Sequence, residues 1–339
     1  MAFAARLLIS LEAVAANWRL LAAASGRATT GAAIKADGYG LGARPMLDTL
    51  AKAGARDFFV ASWAEAAALG AMPAGARLAV LHGITPAEMA TAQALGPDVR
   101  PVLNTPAQVA LWRQTGRPAD VMIDTGINRL GLADTALLQG MTIDTLHSHL
   151  ACAETPAHAM NRAQLAAFHA VPNPARRRAL ANSAGIALGP DWHFDLTRPG
   201  IGLYGGGPSA MRDRLLPVVA IEAPILQLRD VPAGASVGYG ASFIAARPTR
   251  VAITALGYAD GYPRAMATFG SARVAGVACP LIGRVSMDLT AFDVTDAPPL
   301  AEGDWLSVDF DVGAAAAQCN RAEYELLTGL GRRYARVYT

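Results

Sequence analysis

Eight short apolar runs divide the first two thirds of the chain, at residues 31–35, 57–61, 77–82, 99–103, 119–124, 141–149, 178–182 and 194–198. Most of the intervening stretches, such as 86–95, 106–114 and 156–170, carry helical patterns with prolines near their starts, where a missing N–H costs least. Strictly alternating strands and helices imply parallel strands joined by right-handed crossovers. Eight such units predict an α/β fold closed as a TIM-type (β/α)8 barrel. The stretch 182–194 is the shortest crossover and the least helical. Ahead of the barrel, Ser10 to Ser25 reads as a helix, apolar at Leu11, Val14, Ala15, Trp18 and Leu21, with Ser10 as N-cap.

Near residue 207 the periodicity changes. Short alternating runs separated by Gly and Pro, from 218–225 through 305–309, predict a mainly antiparallel β domain. A helix is expected from Ala322 to about Leu330, with Asn320 as its N-cap and Glu323 in a capping box. The expected division is therefore residues 1–207 as the barrel, its last elements reaching at most to about 225, and 208–339 as the β domain.

Composition narrows the function classes. With 53% hydrophobic and 17% charged residues, the chain can bury a sizeable core, which argues against disorder. A net charge of +2 argues against nucleic acid as the main partner, and Arg176-Arg177-Arg178, the only basic run, reads as a solvated patch. Cys152, Cys279 and Cys319 are too scattered for a disulfide framework or a metal motif, so a reducing, cytoplasmic setting is expected. No apolar run reaches the ~18 residues of a membrane span, and the N-terminus has no signal-peptide layout.

A barrel gathers its chemistry at the C-terminal ends of its strands. Those ends here carry Lys35, His82, Asn104, Asp124, His149, Asn182 with Ser183, and Arg198. Lys35 closes the apolar run Gly31–Ile34 and is followed by glycines at 38, 40 and 42. A lysine held against apolar walls loses part of its preference for the charged form, and its free amine can attack a carbonyl, as a Schiff-base lysine must. A lysine at a strand end is otherwise an ordinary solvated residue. The glycines form neither GxGxxG nor a phosphate loop.

The whole string Ile34-Lys-Ala-Asp-Gly-Tyr-Gly-Leu-Gly42 resembles the pyridoxal-phosphate (PLP) lysine segment of the alanine racemases. Further motifs follow in that family's order: Asp124-Thr-Gly-Ile-Asn-Arg-Leu-Gly131, Ser148-His-Leu-Ala151, Asn182-Ser183, Arg198-Pro-Gly-Ile201, Leu256-Gly-Tyr-Ala-Asp-Gly-Tyr-Pro-Arg264 and Gly283-Arg-Val-Ser-Met-Asp288. The resemblance spans essentially the whole chain. It implies a PLP enzyme of fold type III that interconverts L-alanine and D-alanine, supplying D-alanine for peptidoglycan. It assigns cofactor contacts to Lys35, Tyr39, Arg129, His149, Asn182, Ser183, Arg198, Gly200 and Ile201. Arg129 and the Met287 amide would hold the substrate carboxylate, and Asp288 would support its loop. Arg198 would face the pyridine nitrogen, and an arginine there, unable to accept a hydrogen bond, keeps that nitrogen unprotonated.

Two bases are implied, Lys35 acting on D-alanine and Tyr258 on L-alanine. In the family the tyrosine, like Met287, reaches into the partner's site, which implies a homodimer. A free tyrosine has a pKa of about 10, so a basic Tyr258 needs nearby positive charge, for which His149 and Arg198 are the candidates. The chain departs from the family at three places. Many members carry a carbamylated lysine that braces the loop arginine, where this chain has Met122; Asn128 or a bound chloride is the expected substitute. Arg332 stands where some members place a tyrosine on the phosphate, which puts that contact in doubt, and Ser286 replaces a cysteine. The rival readings are a broader or serine-preferring racemase, a non-catalytic PLP-binding barrel, which would lack the β domain, and a fold-related decarboxylase, which would place an acid where Arg198 stands.

Overall fold

A computed structural model describes residues 5–172 and 174–339; residues 1–4 of the expected barrel domain lie outside the described part. The chain divides into two compact units, one running from Ala13 to Leu216 and the other combining the residues up to Glu12 with Pro217–Thr339. The division falls at 216/217. The residues up to Glu12, counted with the barrel in the expected division, join the β unit.

In the first unit, seven parallel strands follow one another in chain order: Ala32–Ala33, Asp57–Val60, Arg77–Val80, Val99–Leu103, Ala119–Met122, Ile143–His147 and Ala175–Ala179. The eighth, Leu196–Thr197, closes the ring. It pairs in parallel with Thr29–Thr30, the leading half of the first strand. On its other side, the Asp195 N–H donates to Arg178 O (3.0 Å) and the Arg198 N–H to Ala181 O (2.8 Å). Strands Asp57–Val60, Val99–Leu103 and Ala119–Met122 are buried throughout, as strands covered on both faces must be. Side-chain caps set the starts of several helices. Ser62 Oγ accepts from Glu65 N ahead of Trp63–Leu69, and Thr105 Oγ1 from Gln108 N ahead of Pro106–Arg113, where the proline occupies the first turn. The crossover after Ala119–Met122 contains no α-helix, only a 3-10 turn at Ala136–Leu138, and its length goes into the loop that carries Arg129.

The N-terminal half of the barrel is filled by charge. Asp57, Arg100, Asp120, Asp144 and His147 are buried, and Arg77 and Arg177 reach in from the rim. Arg177 Nη2 lies 2.8 Å from both Asp57 and Asp144, Arg100 reaches Asp120 (3.0 Å) and Asp144 (2.7 Å), and Arg77 lies 3.2 Å from Asp57. Three carboxylates thus face three guanidiniums, which is how buried charge becomes tolerable. This corrects the reading of Arg176–Arg178 as a solvated patch. Adjacent residues of a strand point to opposite faces, so Arg177 enters the barrel. Arg178 goes the other way, over the Phe168 ring at 4.5 Å, and donates to Phe168 O.

The second unit is built on the long strand Val219–Val231. Its first half pairs antiparallel with Arg6–Ile9 and Trp305–Val308, and past an irregularity between Ile225 and Gln227 its second half pairs with Thr249–Thr254. Arg6–Ile9 also pairs, in parallel, with Ala335–Tyr338. Helix Glu323–Gly329 lies within the expected span, but Asn320 does not open it. With φ +50° it closes an unexpected preceding helix, Val312–Cys319, its N–H donating to Ala316 O and Ala317 O. Among the described residues, no helix is long and apolar enough to cross a membrane.

Candidate active site

Lys35 follows the first barrel strand, Ala32–Ala33, by two residues, and the chain then turns left-handed. Ala36, Asp37 and Gly38 have φ/ψ near 53/47°, 54/50° and 62/43°, and Tyr39 follows at φ +57°. For the three non-glycine residues this conformation costs on the order of 1–2 kcal/mol each, so the surroundings must impose it. The turn carries its own backbone bonds, Gly38 N–H to Ile34 O (2.9 Å) and Gly40 N–H to Ala36 O (2.8 Å), and Asp37 Oδ1 accepts from Ala43 N–H (2.8 Å). Glu65 accepts from the Ala36 N–H (3.0 Å).

The turn delivers Tyr39 to the ends of the seventh and eighth strands. Its ring stacks on Tyr204 at 4.5 Å. The Tyr39 hydroxyl lies so close to Gly200 that a Cβ at that glycine would come within 2.2 Å of it. Ser183 Oγ accepts from the amides of Gly200 (2.9 Å) and Gly202 (3.1 Å), and buried Ile201 opens the short turn Ile201–Tyr204 between them. Tyr39, Ser183, Gly200 and Ile201 are therefore brought together. The Asn182 side chain is occupied locally, accepting from Gly185 N–H at 2.8 Å as a helix cap.

Lys35, Arg129, His149 and Arg198 meet at the same end of the barrel, each within electrostatic range of the other three. Burial, then Arg129 and Arg198, lower the pKa of Lys35, against which Glu65 acts in the opposite sense. Burial, then Arg198, Arg129 and Lys35, drive His149 down to about 3. It is therefore neutral, and of the two residues expected to supply positive charge only Arg198 does so. Burial, then Arg129, bring Arg198 down to about 10, which leaves it cationic at neutral pH. Its Nη2 donates to Ser148 O and Leu180 O, whereas its buried Nε has no hydrogen-bond partner among the described residues.

Arg129 is exposed on a pre-shaped loop. Asp124 Oδ1 accepts from Gly126 N–H (2.8 Å) and Asn128 N–H (3.2 Å), and Leu132 N–H returns to Met122 O (2.8 Å). The Asn128 amide donates to Gly126 O at 3.4 Å, tying the loop to itself rather than reaching Arg129. Met122 is buried beneath.

In the β unit, Tyr258 and Met287 stand side by side on two hydrogen-bonded turns. Tyr258 N–H donates to Ser286 O (3.0 Å) and Ala259 N–H to Met287 O (2.9 Å). The approach is close enough that a Cβ at Gly257 would lie 2.3 Å from Met287 O. Sequence reasoning missed the clamp between these turns. Arg333 donates to Asp260 (2.7 and 2.9 Å) and to Asp288 (2.7 Å), so Asp288 does hold its loop. The signal was only an arginine near the C-terminus, with nothing local to pair it. Arg332, its neighbour, is exposed. Tyr258 and Met287 are 45% and 55% exposed.

A cationic barrel mouth with one half-buried amine, a buried guanidinium with a spare donor, and a hydroxyl-and-amide cradle suits an anionic cofactor with an acceptor nitrogen. Comparison with known proteins agrees. Residues 9–208 match the family model described as alanine racemase, N-terminal domain, and residues 218–338 match alanine racemase, C-terminal domain. Among similar sequences, an alanine racemase of Acidiphilium cryptum is 44% identical over 98% of both chains, and the biosynthetic alanine racemase of Agrobacterium fabrum is 43% identical over 98% of this chain and 93% of its own. Among solved structures, alanine racemase from Bartonella henselae, with covalently bound pyridoxal phosphate, superposes with a TM-score of 0.89 at 35% identity over 99% of both chains. That from Pseudomonas aeruginosa, a biosynthetic enzyme, gives 0.87 at 34% over 100% of both. With both halves matched and the lysine, loop-arginine and tyrosine turns in place, the chain belongs to the alanine racemase family.

Proposed function

We propose that the protein is a PLP-dependent isomerase that interconverts L-alanine and D-alanine and supplies D-alanine for peptidoglycan. The observation that carries this reading is the group of Lys35, Arg129, His149 and Arg198 at one end of the barrel, with the unpartnered Nε of Arg198 among them. PLP fits these residues. Lys35 would attach it, Tyr39, Ser183 and the amides at Gly200 and Ile201 would take its phosphate, Arg198 Nε would donate to its ring nitrogen, and neutral His149 would pack on the ring. Asn182 supports this cradle as a cap. When bound, PLP withdraws electrons from the substrate's Cα and acidifies its hydrogen.

The chain's own groups then do the rest. Arg129 and the amide of the partner subunit's Met287 orient the carboxylate, which fixes which hydrogen faces which base. Lys35, its pKa already lowered, takes or returns the proton on the face presented by D-alanine. Tyr258 of the partner subunit serves the opposite face, which L-alanine presents. The exposure of Tyr258 and Met287 supports a homodimer in which each subunit completes the other's site. Action in the cytoplasm completes the reading.

Two variants test it. Lys35→Ala removes the visible absorbance of the cofactor-loaded protein and the activity. Tyr258→Phe keeps the absorbance and loses most racemisation, with exchange of the L-alanine α-hydrogen hit hardest. Normal racemisation by Tyr258→Phe refutes the two-base assignment. Comparing kcat/KM for alanine and serine tests the substrate.

A further inference from the structure

We propose that Glu65 is a positioning residue for Lys35, a carboxylate that clamps the peptide link after the lysine to the end of the neighbouring strand and sets the aim of its amine. The proposal rests on the reading of Lys35 as the reactive lysine.

Glu65 sits three residues after Ser62, in the sequence Ser62-Trp-Ala-Glu65, where a capping-box glutamate would return to its own N-cap backbone. It does something else. Its Oε2 accepts from Ala61 N–H at 2.7 Å, one residue before the cap, and its Oε1 leaves the helix and accepts from Ala36 N–H at 3.0 Å. One carboxylate therefore bridges the ends of the first two strands of the barrel. The amide it holds belongs to the residue directly after Lys35, where the left-handed turn begins. Among the bonds at this turn, the one to Glu65 is made by a charged side chain on another element and holds the first left-handed residue. A strained backbone stays put only where its surroundings over-determine it, and a charge-assisted bond is the strong kind. Releasing it would let the Lys35–Ala36 peptide rotate and the amine lose its direction.

The carboxylate is also the one negative group among those acting on Lys35. Arg129 from its loop, Arg198 after the eighth strand and His149 after the sixth all lie within electrostatic range of the lysine and favour or tolerate the free amine; Glu65, on helix Trp63–Leu69, opposes them. Geometry and charge thus assign it the same place, beside the lysine and directed at its backbone.

The test uses Glu65→Gln with Ser62→Ala as its structural counterpart. Both act at the start of helix Trp63–Leu69, but Ser62 Oγ accepts from Glu65 N–H, whereas the Glu65 carboxylate accepts from Ala36 N–H. In cofactor-free protein, the pH midpoint of Lys35 acylation is followed by peptide mass spectrometry. Loss of one nearby charge is expected to lower that midpoint by about one pH unit in Glu65→Gln, about tenfold more free amine at a given pH below it, and to leave it unchanged in Ser62→Ala. In loaded protein, Glu65→Gln is expected to lose about tenfold or more in kcat with little change in KM for alanine. If Glu65→Gln fails to fold, Glu65→Asp, too short to span both amides, is read by the same two measurements and should lose kcat while keeping the midpoint. An unshifted midpoint in Glu65→Gln, or equal kcat losses in Glu65→Gln and Ser62→Ala, overturns the proposal. The failure of the lysine assignment itself is read separately, as visible absorbance surviving in Lys35→Ala.

Discussion

Replacing Asp144 with Asn should unfold the barrel more readily than any single surface change, and the structure sets the size of the effect. Asp144 is 7% exposed and accepts from Arg100 Nη2 (2.7 Å), Arg177 Nη2 (2.8 Å) and Thr145 Oγ1 (3.0 Å). The carboxamide keeps the shape but leaves three guanidiniums facing two carboxylates. Removing one partner from a buried ion pair costs about 3–5 kcal/mol. Arg77 and Arg177 keep some contact with water, at 37% and 16% side-chain exposure, so the lower end, about 3 kcal/mol, is expected. For a domain of this size that corresponds to a Tm lower by about 6–12 °C. Urea unfolding at pH 7, followed by circular dichroism, measures it. The pH dependence gives a second check. Burial alone raises the Asp144 carboxyl, but Arg100, Arg177 and Thr145 together hold it below its ordinary value. A depressed carboxyl contributes stability that is complete above the unfolded value of about 3.9 and is lost as pH falls through the lower folded value. The gap between wild type and variant should therefore stay constant from pH 8 to 5 and narrow progressively below about pH 4, closing only below the depressed folded value. A gap under 1 kcal/mol at pH 7, or one that does not narrow as pH falls below 4, would refute the reasoning.

Gly200→Ala should drive Tyr39 off its place and weaken PLP binding by about tenfold, an overpacking cost at the mild end; an unchanged affinity in an absorbance titration would break the link between Tyr39 and the phosphate. His149, held at about 3 mainly by burial, should remain neutral from pH 8 down to about 4, so a ring-nitrogen NMR titration that shows a midpoint near 6 would contradict it. Arg333→Ala removes the clamp on both Asp260 and Asp288, and should lower kcat at least several-fold while leaving PLP affinity alone; loss of cofactor binding would place that arginine's role elsewhere.

The barrel was legible because apolar runs and helical patterns alternate, and its mouth was legible because polar residues end those runs. Its floor was not. Asp57, Arg77, Arg100, Asp120, Asp144 and Arg177 each lie within the first three residues of a strand. Singly they resemble strand starts in solvent, and only the ring, which brings Asp57, Asp120 and Asp144 against Arg77, Arg100 and Arg177, makes them one network. Asn320 misled for a related reason. An asparagine suits a helix start and a left-handed helix end equally well, and the alanine-rich run before it gave no periodicity to choose between them. Lys35 was found from the whole string Ile34–Gly42, yet the turn is held in part by a glutamate some thirty residues on, whose purpose no local pattern discloses.

The pairing of Arg6–Ile9 with Val219–Glu222 on one side and Ala335–Tyr338 on the other has a bearing on how the protein is made. Its earliest strand finds its partners only after some two hundred, and then more than three hundred, further residues have been synthesised. The barrel, from Ala13 to Leu216, lies wholly between these appointments, and Asn17 ties its beginning to its end through Leu216, whose N–H it accepts from at 2.7 Å and whose carbonyl it donates to at 2.9 Å. On the ribosome the cofactor domain can therefore close while Arg6–Ile9 waits, and the unit bearing Tyr258 is sealed only once Ala335–Tyr338 has been made.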